Sequence, residues 1–244
     1  MPSDPASLPA LFPHAPLREQ RLQIGSHALS ILALCNPLDL IQTRTEKAPE
    51  VYWAELWHAG IALAGALLDG EIDLPEGPEP VLELGCGTGV VSVAAALRGA
   101  RVLATDFVPE ALELTAENAR RHGIGDRVET RRLDFREPYP ARHRLILASD
   151  CIYDPEYSKY LAEFVRATLA PGKGSKAVLA DPDRWSARNF SHVAREAGLE
   201  VACRRRAVPC AIRSPLSVRP APKPGEVEES APRDVALYEL TLAS

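Results

Sequence analysis

Short apolar runs alternate with helix-patterned segments between residues 81 and 198, and this alternation strongly constrains the fold. The predicted strands cover residues 81–84, 101–105, 127–133, 145–148 and 176–180. The predicted helices cover residues 57–68, 90–97, 109–122, 155–169 and 185–197. Strands that alternate with helices form parallel sheets with right-handed crossovers and helices on both faces. We therefore predict an α/β fold built on a doubly wound sheet.

The two ends of the chain differ from this repeat. Segments 199–205 and 235–242 both read as strands with no helix between them, which predicts seven strands with one antiparallel strand added to a parallel sheet. The intervening stretch 208–233 is rich in proline, so we expect it to be mobile or functional. Apolar residues alternate around Gly25 and Ser26, which predicts an N-terminal β-hairpin.

We divide the chain into three regions from these patterns. Residues 1–16 carry five prolines and are expected to form a mobile arm. Residues 17–50 contain the hairpin and a linker, and residues 51–244 form the main domain.

Composition excludes several classes of protein. The net charge of -5 argues against binding nucleic acid through bulk charge. The five cysteines are odd in number and form no C-x-x-C pair, which argues against a zinc site or another metal site and against a disulfide framework. The sequence shows neither a signal peptide nor an apolar run long enough for a membrane span. We expect a cytoplasmic protein with reduced thiols.

A glycine-rich loop, Gly85-Cys86-Gly87-Thr88-Gly89, joins the first strand of the repeat to its helix. Glycines there allow a tight turn and close approach to a ligand, and the amides that begin the helix favour an anion such as a carboxylate. Val90 stands where a dinucleotide fingerprint needs its third glycine, and no Walker lysine follows. The loop therefore predicts another kind of ligand.

Three acidic residues lie beside the loop or at neighbouring strand ends. Glu83 would repel a phosphate and suits a positive amino group, Asp106 can accept from ribose hydroxyls, and Asp134 can accept from an adenine amino group. Together they describe a nucleoside that carries an amino acid. The alternatives are a helix N-cap for Asp106 and a solvated loop for Asp134.

These motifs resemble the class I S-adenosylmethionine-dependent methyltransferases over roughly residues 50–244. The resemblance implies a Rossmann-like sheet, S-adenosyl-L-methionine as cofactor and S-adenosyl-L-homocysteine as product. It also implies that the glycine loop cradles the methionine moiety. The predicted cofactor-binding residues are Trp57, Gly60, Glu83, Gly85, Cys86, Gly87, Thr88, Gly89, Asp106, Phe107, Asp134, Phe135 and Ser149.

Three further segments resemble the seven-β-strand protein lysine methyltransferases. Residues 150–153, Asp-Cys-Ile-Tyr, resemble their D-x-x-Y motif, and residues 52–60 resemble their cofactor-covering element. Residues 181–184 resemble the D-P-G-R of the electron-transfer-flavoprotein β-subunit lysine methyltransferases, with Asp183 in place of the glycine. The resemblance implies methylation of a protein lysine, with Asp150 and Tyr153 as the catalytic residues.

The position of Asp150 supports this assignment. Ligands in open α/β sheets lie at the carboxyl ends of the strands near the switch point, so Asp150 would face the reactive methyl group and orient an amine. Tyr153 would line the lysine channel. Asp150 as the cap of the helix at Pro155 is the alternative. Cys86 and Cys151 read as small lining residues because no histidine partner is evident at matching spacing.

Two other functions stay open: methylation of a small-molecule amine, and a non-catalytic module that binds the cofactor or a partner protein. Nucleic-acid methylation is disfavoured because a D-P-P-Y motif is absent and the charge is acidic.

Overall fold

The computed structural model describes residues 16–36, 51–152, 154–184, 187, 189–208 and 232–243. The strands are β1 (Leu17–Ile24), β2 (His27–Leu34), β3 (Val81–Leu84), β4 (Val102–Asp106), β5 (Val128–Arg132), β6 (Leu145–Ser149), β7 (Lys176–Asp181), β8 (Leu199–Val208) and β9 (Arg233–Leu242). The α-helices are α1 (His58–Leu68), α2 (Val90–Leu97), α3 (Pro109–Arg121), α4 (Pro155–Thr168) and α5 (Phe190–Glu196). Short 3₁₀ turns cover Val51–Ala54 and Gly125–Arg127. The predicted arm up to residue 15, the linker 37–50, Tyr153 and residues 209–231 of the proline-rich stretch lie outside the described residues.

A seven-stranded sheet in the order β5-β4-β3-β6-β7-β9-β8 forms the centre of the protein. Strands β3 to β7 run parallel, while β9 is antiparallel to both β7 and β8. The predicted sheet with one antiparallel strand is therefore confirmed. The chain winds outward from β3 in one direction and then returns to β6, so the switch point lies between these two neighbours.

Helices cover both faces of this sheet. Helices α1 and α2 pack with the hairpin residues Leu22 and Ile31 in one buried cluster. Helices α4 and α5 pack on the other face, where Leu161 and Phe190 are fully buried. All residues of α1 are buried, as expected for a helix that is apolar on every side and covered on every side. Burial on both faces explains why β3, β6 and β7, in the middle of the sheet, are mostly apolar, whereas the edge strand β5 is mostly polar and exposed.

The ends of the helices follow local sequence signals. Helix α3 begins at Pro109 and is followed by Gly123 in the left-handed region at φ +69°. Helix α4 is capped by Asp154, whose side chain accepts from the Glu156 amide at 2.7 Å. Asp154 thus takes the capping role that was the alternative for Asp150.

The last helix is shorter than predicted. The pattern predicts a helix over residues 185–197, but α5 begins only at Phe190. The Ala187 amide donates to the carbonyl oxygen of Arg184 at 3.0 Å, so the chain makes a turn before the regular helix starts. Residues 185, 186 and 188 lie outside the described residues.

The predicted N-terminal hairpin is confirmed as β1 paired antiparallel with β2. Gly25, at φ +56°, supplies the positive φ that a two-residue hairpin turn requires. Leu17, Leu32 and Leu34 pack against Trp53 and Leu114, which places the hairpin on α3 and on the segment before α1.

Within the described ranges, no helix has the length and apolar character needed to cross a membrane.

Candidate active site

The glycine loop between β3 and α2 adopts a conformation that favours glycine at three positions. Gly85, Gly87 and Gly89 have φ values of +64°, +51° and +76°. A Cβ atom at Gly87 would lie 2.8 Å from the carbonyl oxygen of Trp53, and one at Gly89 would lie 2.7 Å from Thr115 Oγ1. The loop is therefore a backbone cradle closed in by the segment before α1 and by α3.

Asp106, at the end of β4, ties that strand to the loop. Its Oδ2 atom accepts from the Gly87 amide at 3.1 Å, and its Oδ1 atom accepts from the Val108 amide at 3.0 Å. Burial raises the pKa of Asp106 to about 6, and these amide hydrogen bonds oppose that rise. The Phe107 amide also lowers the pKa of Asp106, and because a carboxylate has about four acceptor positions, there is room for the predicted ribose contact.

Glu83, in β3, lies inside the protein with 1% of its surface exposed. Its Oε2 atom accepts from the hydroxyl of Ser92 on α2. Burial raises the pKa of Glu83 to about 8, so the carboxyl is largely protonated at neutral pH. The described contacts show Glu83 holding α2 against β3, while its contact with a positive amino group stays a prediction.

The segment before α1 brings further predicted residues to the loop. A Cβ atom at Gly60 would lie 3.1 Å from Val90 Cγ1 and 3.4 Å from Ser149 Oγ, so Gly60 lies between the start of α2 and the end of β6. Trp57 donates from its ring nitrogen to the carbonyl oxygen of Tyr52 at 2.7 Å. This hydrogen bond fixes the orientation of the indole ring.

Asp150 follows β6 directly and adopts the left-handed region at φ +58°. Its amide donates to the Ala180 carbonyl oxygen at 3.0 Å, and its carboxylate forms an ion pair with Arg184. Its Oδ2 atom is buried and has no hydrogen-bond partner among the described residues. Burial raises the pKa of Asp150 to about 6, against the opposing effect of Arg184. A buried carboxylate oxygen in a strained turn is typical of functional sites.

Arg184 is a site residue to which the sequence analysis gave no role. Its guanidinium binds Asp150, lies 3.6 Å from Asp181 and faces the Trp57 ring at 5.7 Å. Asp181 ends β7, accepts from the Arg184 amide at 2.8 Å and also has a buried oxygen without a partner among the described residues. One signal could have pointed to Arg184. Asp150 and Asp181 follow or end two neighbouring parallel strands, and such strands end at the same edge of the sheet.

Asp134 and Phe135 lie at the end of β5, which neighbours β4. The Asp134 carboxylate is held by the Arg136 guanidinium, with contacts at 2.8 and 3.0 Å, and this hydrogen bonding lowers the pKa of Asp134. Phe135 meets the Tyr157 ring edge-on at 6.3 Å. Phe107 is 37% exposed beside Asp106. The contact of Asp134 with adenine remains a prediction. The contacts of Phe107 and Phe135 with the cofactor also remain predictions.

The two cysteines near the loop are buried thiols. Thr115 Oγ1 lies 3.3 Å from the sulfur of Cys86, and a Cβ atom at Gly85 would lie 2.9 Å from the sulfur of Cys151. Burial raises the pKa of both thiols well above the ordinary value for cysteine. Neither is a thiolate at neutral pH, which agrees with their interpretation as small lining residues.

This sheet order and glycine cradle define a class I, Rossmann-like S-adenosylmethionine-dependent methyltransferase. A family model described as lysine methyltransferase matches residues 41–184, more than half of the chain, and the chain belongs to this family. The family and the fold imply S-adenosyl-L-methionine as the methyl donor.

Known proteins with similar sequences include two protein methyltransferases. The chain is 36% identical over 137 residues to the electron transfer flavoprotein beta subunit lysine methyltransferase of Xenopus laevis, covering 54% of this chain and 53% of that one. It is 40% identical over 96 residues to a ribosomal protein L11 methyltransferase of Citrifermentans bemidjiense, covering 39% and 30%. The chain thus spans about a third to a half of the length of these relatives.

A solved structure of the ribosomal protein L11 methylase from Lactobacillus delbrueckii subsp. bulgaricus has the same fold. The TM-score is 0.57 with 16% identity, and the superposition covers 92% of this chain and all of the other. A putative RNA methyltransferase from Pyrococcus horikoshii gives a TM-score of 0.54 with 18% identity, covering 85% and 96%. At these identities the likeness shows the fold alone.

Proposed function

We propose that this protein methylates the side-chain amine of a lysine in a protein substrate, with S-adenosyl-L-methionine bound at the glycine loop. One observation supports the assignment most: the Oδ2 atom of Asp150, directly after β6 and across the switch point from the loop, is buried and accepts no hydrogen bond from the residues that the structure describes. Both relatives described above are named for methylation of proteins. This favours a protein acceptor over a small-molecule amine.

The glycine loop has the properties that the cofactor needs. Its cradle is free of Cβ atoms at Gly85, Gly87 and Gly89, and the amides that begin α2 favour the methionine carboxylate. Asp106 would accept from the ribose hydroxyls, and Ser149 and Gly60 would line the space toward Asp150. The cofactor supplies a methyl group activated on a sulfonium sulfur.

Asp150 would orient the acceptor amine. A neutral amine donates a hydrogen bond to the free Oδ2 atom, which aims the nitrogen lone pair at the methyl carbon. The cofactor would supply the methyl group and leave as S-adenosyl-L-homocysteine, and the methylated amine would release its proton to solvent. A lysine amine has an ordinary pKa of about 10.4, so burial of the substrate side chain must favour its neutral form. Asp150 is too weak a base to remove that proton alone.

Arg184, Trp57 and Tyr153 complete the proposed acceptor side. The Arg184 guanidinium keeps Asp150 ionised, because an adjacent positive charge favours the carboxylate form. The Trp57 ring faces this guanidinium at 5.7 Å and so helps to hold it beside Asp150. Tyr153 stays a predicted wall of the lysine channel.

Transfer of labelled methyl groups tests this function. The purified protein is incubated with a cell lysate and S-adenosyl-L-methionine carrying a tritiated methyl group, alongside the Asp150→Asn variant. We expect label in a discrete protein band, recovered as methyllysine after hydrolysis, and no label with the variant. Label confined to the small-molecule fraction would assign the enzyme to metabolite methylation, and absence of label would support a non-catalytic module.

A further inference from the structure

Two side chains on α3 satisfy the carbonyl groups of the glycine loop. Thr115 Oγ1 donates to the Gly87 carbonyl oxygen at 3.1 Å, and Asn118 Nδ2 donates to the Thr88 carbonyl oxygen at 2.8 Å. Both side chains are fully buried. Residues three apart share one face of a helix, so α3 presents both groups to the loop together. Without them, the buried Thr88 carbonyl and the partly buried Gly87 carbonyl would lose these partners, at a cost in stability.

The same Asn118 amide also binds the N-terminal hairpin, 86 residues away in sequence. Its Oδ1 atom accepts from the Leu32 amide at 2.8 Å, and its Nδ2 atom donates to the Leu32 carbonyl oxygen at 3.0 Å. This pair of hydrogen bonds reproduces the way a neighbouring strand would bind the edge of β2. It fixes the amide plane, so the second Nδ2 hydrogen points at Thr88.

A second contact route runs from the hairpin to the loop. Leu32 and Leu34 of β2 pack in one cluster with Trp53. The carbonyl oxygen of Trp53 lies 2.8 Å from the position of a Cβ atom at Gly87. The hairpin therefore supports the glycine loop through Asn118 on one side and through Trp53 on the other.

We propose that Asn118 is a positioning residue that couples the N-terminal hairpin to the cofactor loop, so that the hairpin preorganises the loop for the cofactor. The proposal rests on the proposed function only in assigning the cofactor to this loop. A loop held in its binding conformation before the ligand arrives loses less conformational entropy on binding. Cofactor binding in turn reduces the motion of the hairpin, because coupling between two sites is reciprocal.

The first test compares three variants by titration with S-adenosyl-L-homocysteine and by steady-state kinetics. Asn118→Ala should weaken binding about tenfold, which is the effect of one lost buried hydrogen bond, and raise KM for the cofactor while kcat changes little. Glu19→Gln breaks a hairpin contact with Arg121 on α3, at 3.3 Å, that does not reach the loop. It should bind within about twofold of the wild type.

Thr115→Val separates loop support from hairpin coupling. It removes the hydroxyl that reaches Gly87 and leaves the hydrogen bonds between Asn118 and Leu32 in place. Hydrogen exchange of the protein without cofactor should be faster at the loop in both variants, but faster at residues 27–34 only in Asn118→Ala. Loop amides that exchange at the wild-type rate in Asn118→Ala would overturn the coupling, whether or not the protein binds S-adenosyl-L-homocysteine.

A measurement on the wild-type protein keeps the proposal testable if Asn118→Ala does not fold. Residue-resolved hydrogen exchange is recorded with and without saturating S-adenosyl-L-homocysteine. We expect slower exchange of the Leu32 amide on binding, with the amides of β8 at the other end of the sheet unchanged. A Leu32 amide that exchanges at the same rate in both states would contradict the coupling. Lack of any binding would contradict the proposed function, and the exchange of the unbound variants would then decide the coupling.

Discussion

The two halves of the candidate site differ in how their polar groups are satisfied. On the β3–β4 side, the Asp106 carboxylate accepts from two backbone amides and Glu83 is bound to Ser92. On the β6–β7 side, Asp150 and Asp181 flank a single guanidinium, and each has one buried oxygen that accepts no hydrogen bond among the described residues. The carboxyl groups of the first half are held by backbone amides and a hydroxyl, whereas those of the second half keep spare hydrogen-bonding capacity, which we propose serves the acceptor.

Gly87→Ala would cause the largest loss on the cofactor side. The new Cβ atom combines left-handed strain at φ +51° with a 2.8 Å contact to the backbone of Trp53, so the cradle must shift. We expect S-adenosyl-L-homocysteine binding to weaken by more than about 100-fold in calorimetry. Gly123→Ala is the matched control because its φ is +69° and nothing lies within 4 Å of the new atom. That control should lose about 1 kcal/mol of stability and bind normally; tight binding by Gly87→Ala would mean that the cofactor lies elsewhere.

Asp150→Asn should damage the acceptor side while sparing the cofactor side. Asparagine tolerates the left-handed backbone, but it cannot keep the ion pair with Arg184 or accept with the same strength. We expect kcat to fall by about 100-fold or more, with cofactor affinity within a few-fold of the wild type. Asp154→Asn makes the same change at the cap of α4, where asparagine caps equally well, and should leave kcat intact. Comparable turnover in both variants would remove Asp150 from the mechanism.

Arg184→Gln should move the pH profile. Burial raises the pKa of Asp150 to about 6, and Arg184 opposes that rise, so loss of the guanidinium raises the pKa further. Since the ionised carboxylate is the active form, activity falls as pH drops through this pKa, and the acid limb of kcat/KM should shift to higher pH. We expect about tenfold lower activity near pH 6 and little change near pH 9. Arg205→Gln breaks an ion pair with Asp183 and serves as the control. It should not shift the acid limb of the kcat/KM profile.

Glu83→Gln should affect function least of these four substitutions. It tests the buried carboxyl group of the cofactor side through the pH dependence of stability. Burial raises the pKa of Glu83 to about 8 from 4.5, so the folded protein binds a proton that the unfolded chain has released. This contribution is fully present below pH 4.5 and is lost as pH rises toward 8. The melting temperature of the variant relative to the wild type should therefore increase by several degrees between pH 5 and pH 8. Glu200→Gln, at an exposed position, provides the control. If the difference in melting temperature between Glu83→Gln and the wild type were the same at pH 5 and pH 8, it would contradict this pKa.

The sequence predicts the cofactor half better than the acceptor half, and the reason is the range of the interactions. Gly85, Gly87 and Gly89 act within one short loop, so their spacing beside a strand and a helix is sufficient to identify it. The partner of Arg184 lies 34 residues away at Asp150, and only the packed sheet brings the two together. Contacts of this kind are set by tertiary structure. The local motif at residues 181–184 does not show that Asp150 is the partner of Arg184.

Two further residues show the same limit. The Asp134 carboxylate is held by Arg136, two residues later, while its contact with adenine stays a prediction. Arg136 is visible in the sequence, but the geometry of its contact is not. Asn118 reads as a weak helix former within α3, and its role depends on Leu32, 86 residues earlier. The prediction that Tyr153 lines the acceptor channel stays a prediction.

Isothermal titration calorimetry of the purified protein with S-adenosyl-L-homocysteine shows whether the glycine loop is a cofactor site. We expect saturable binding at one site per chain, together with a higher melting temperature in the presence of the ligand. Heat no greater than that of dilution, with an unchanged melting temperature, would contradict the assignment of the glycine loop as a cofactor site.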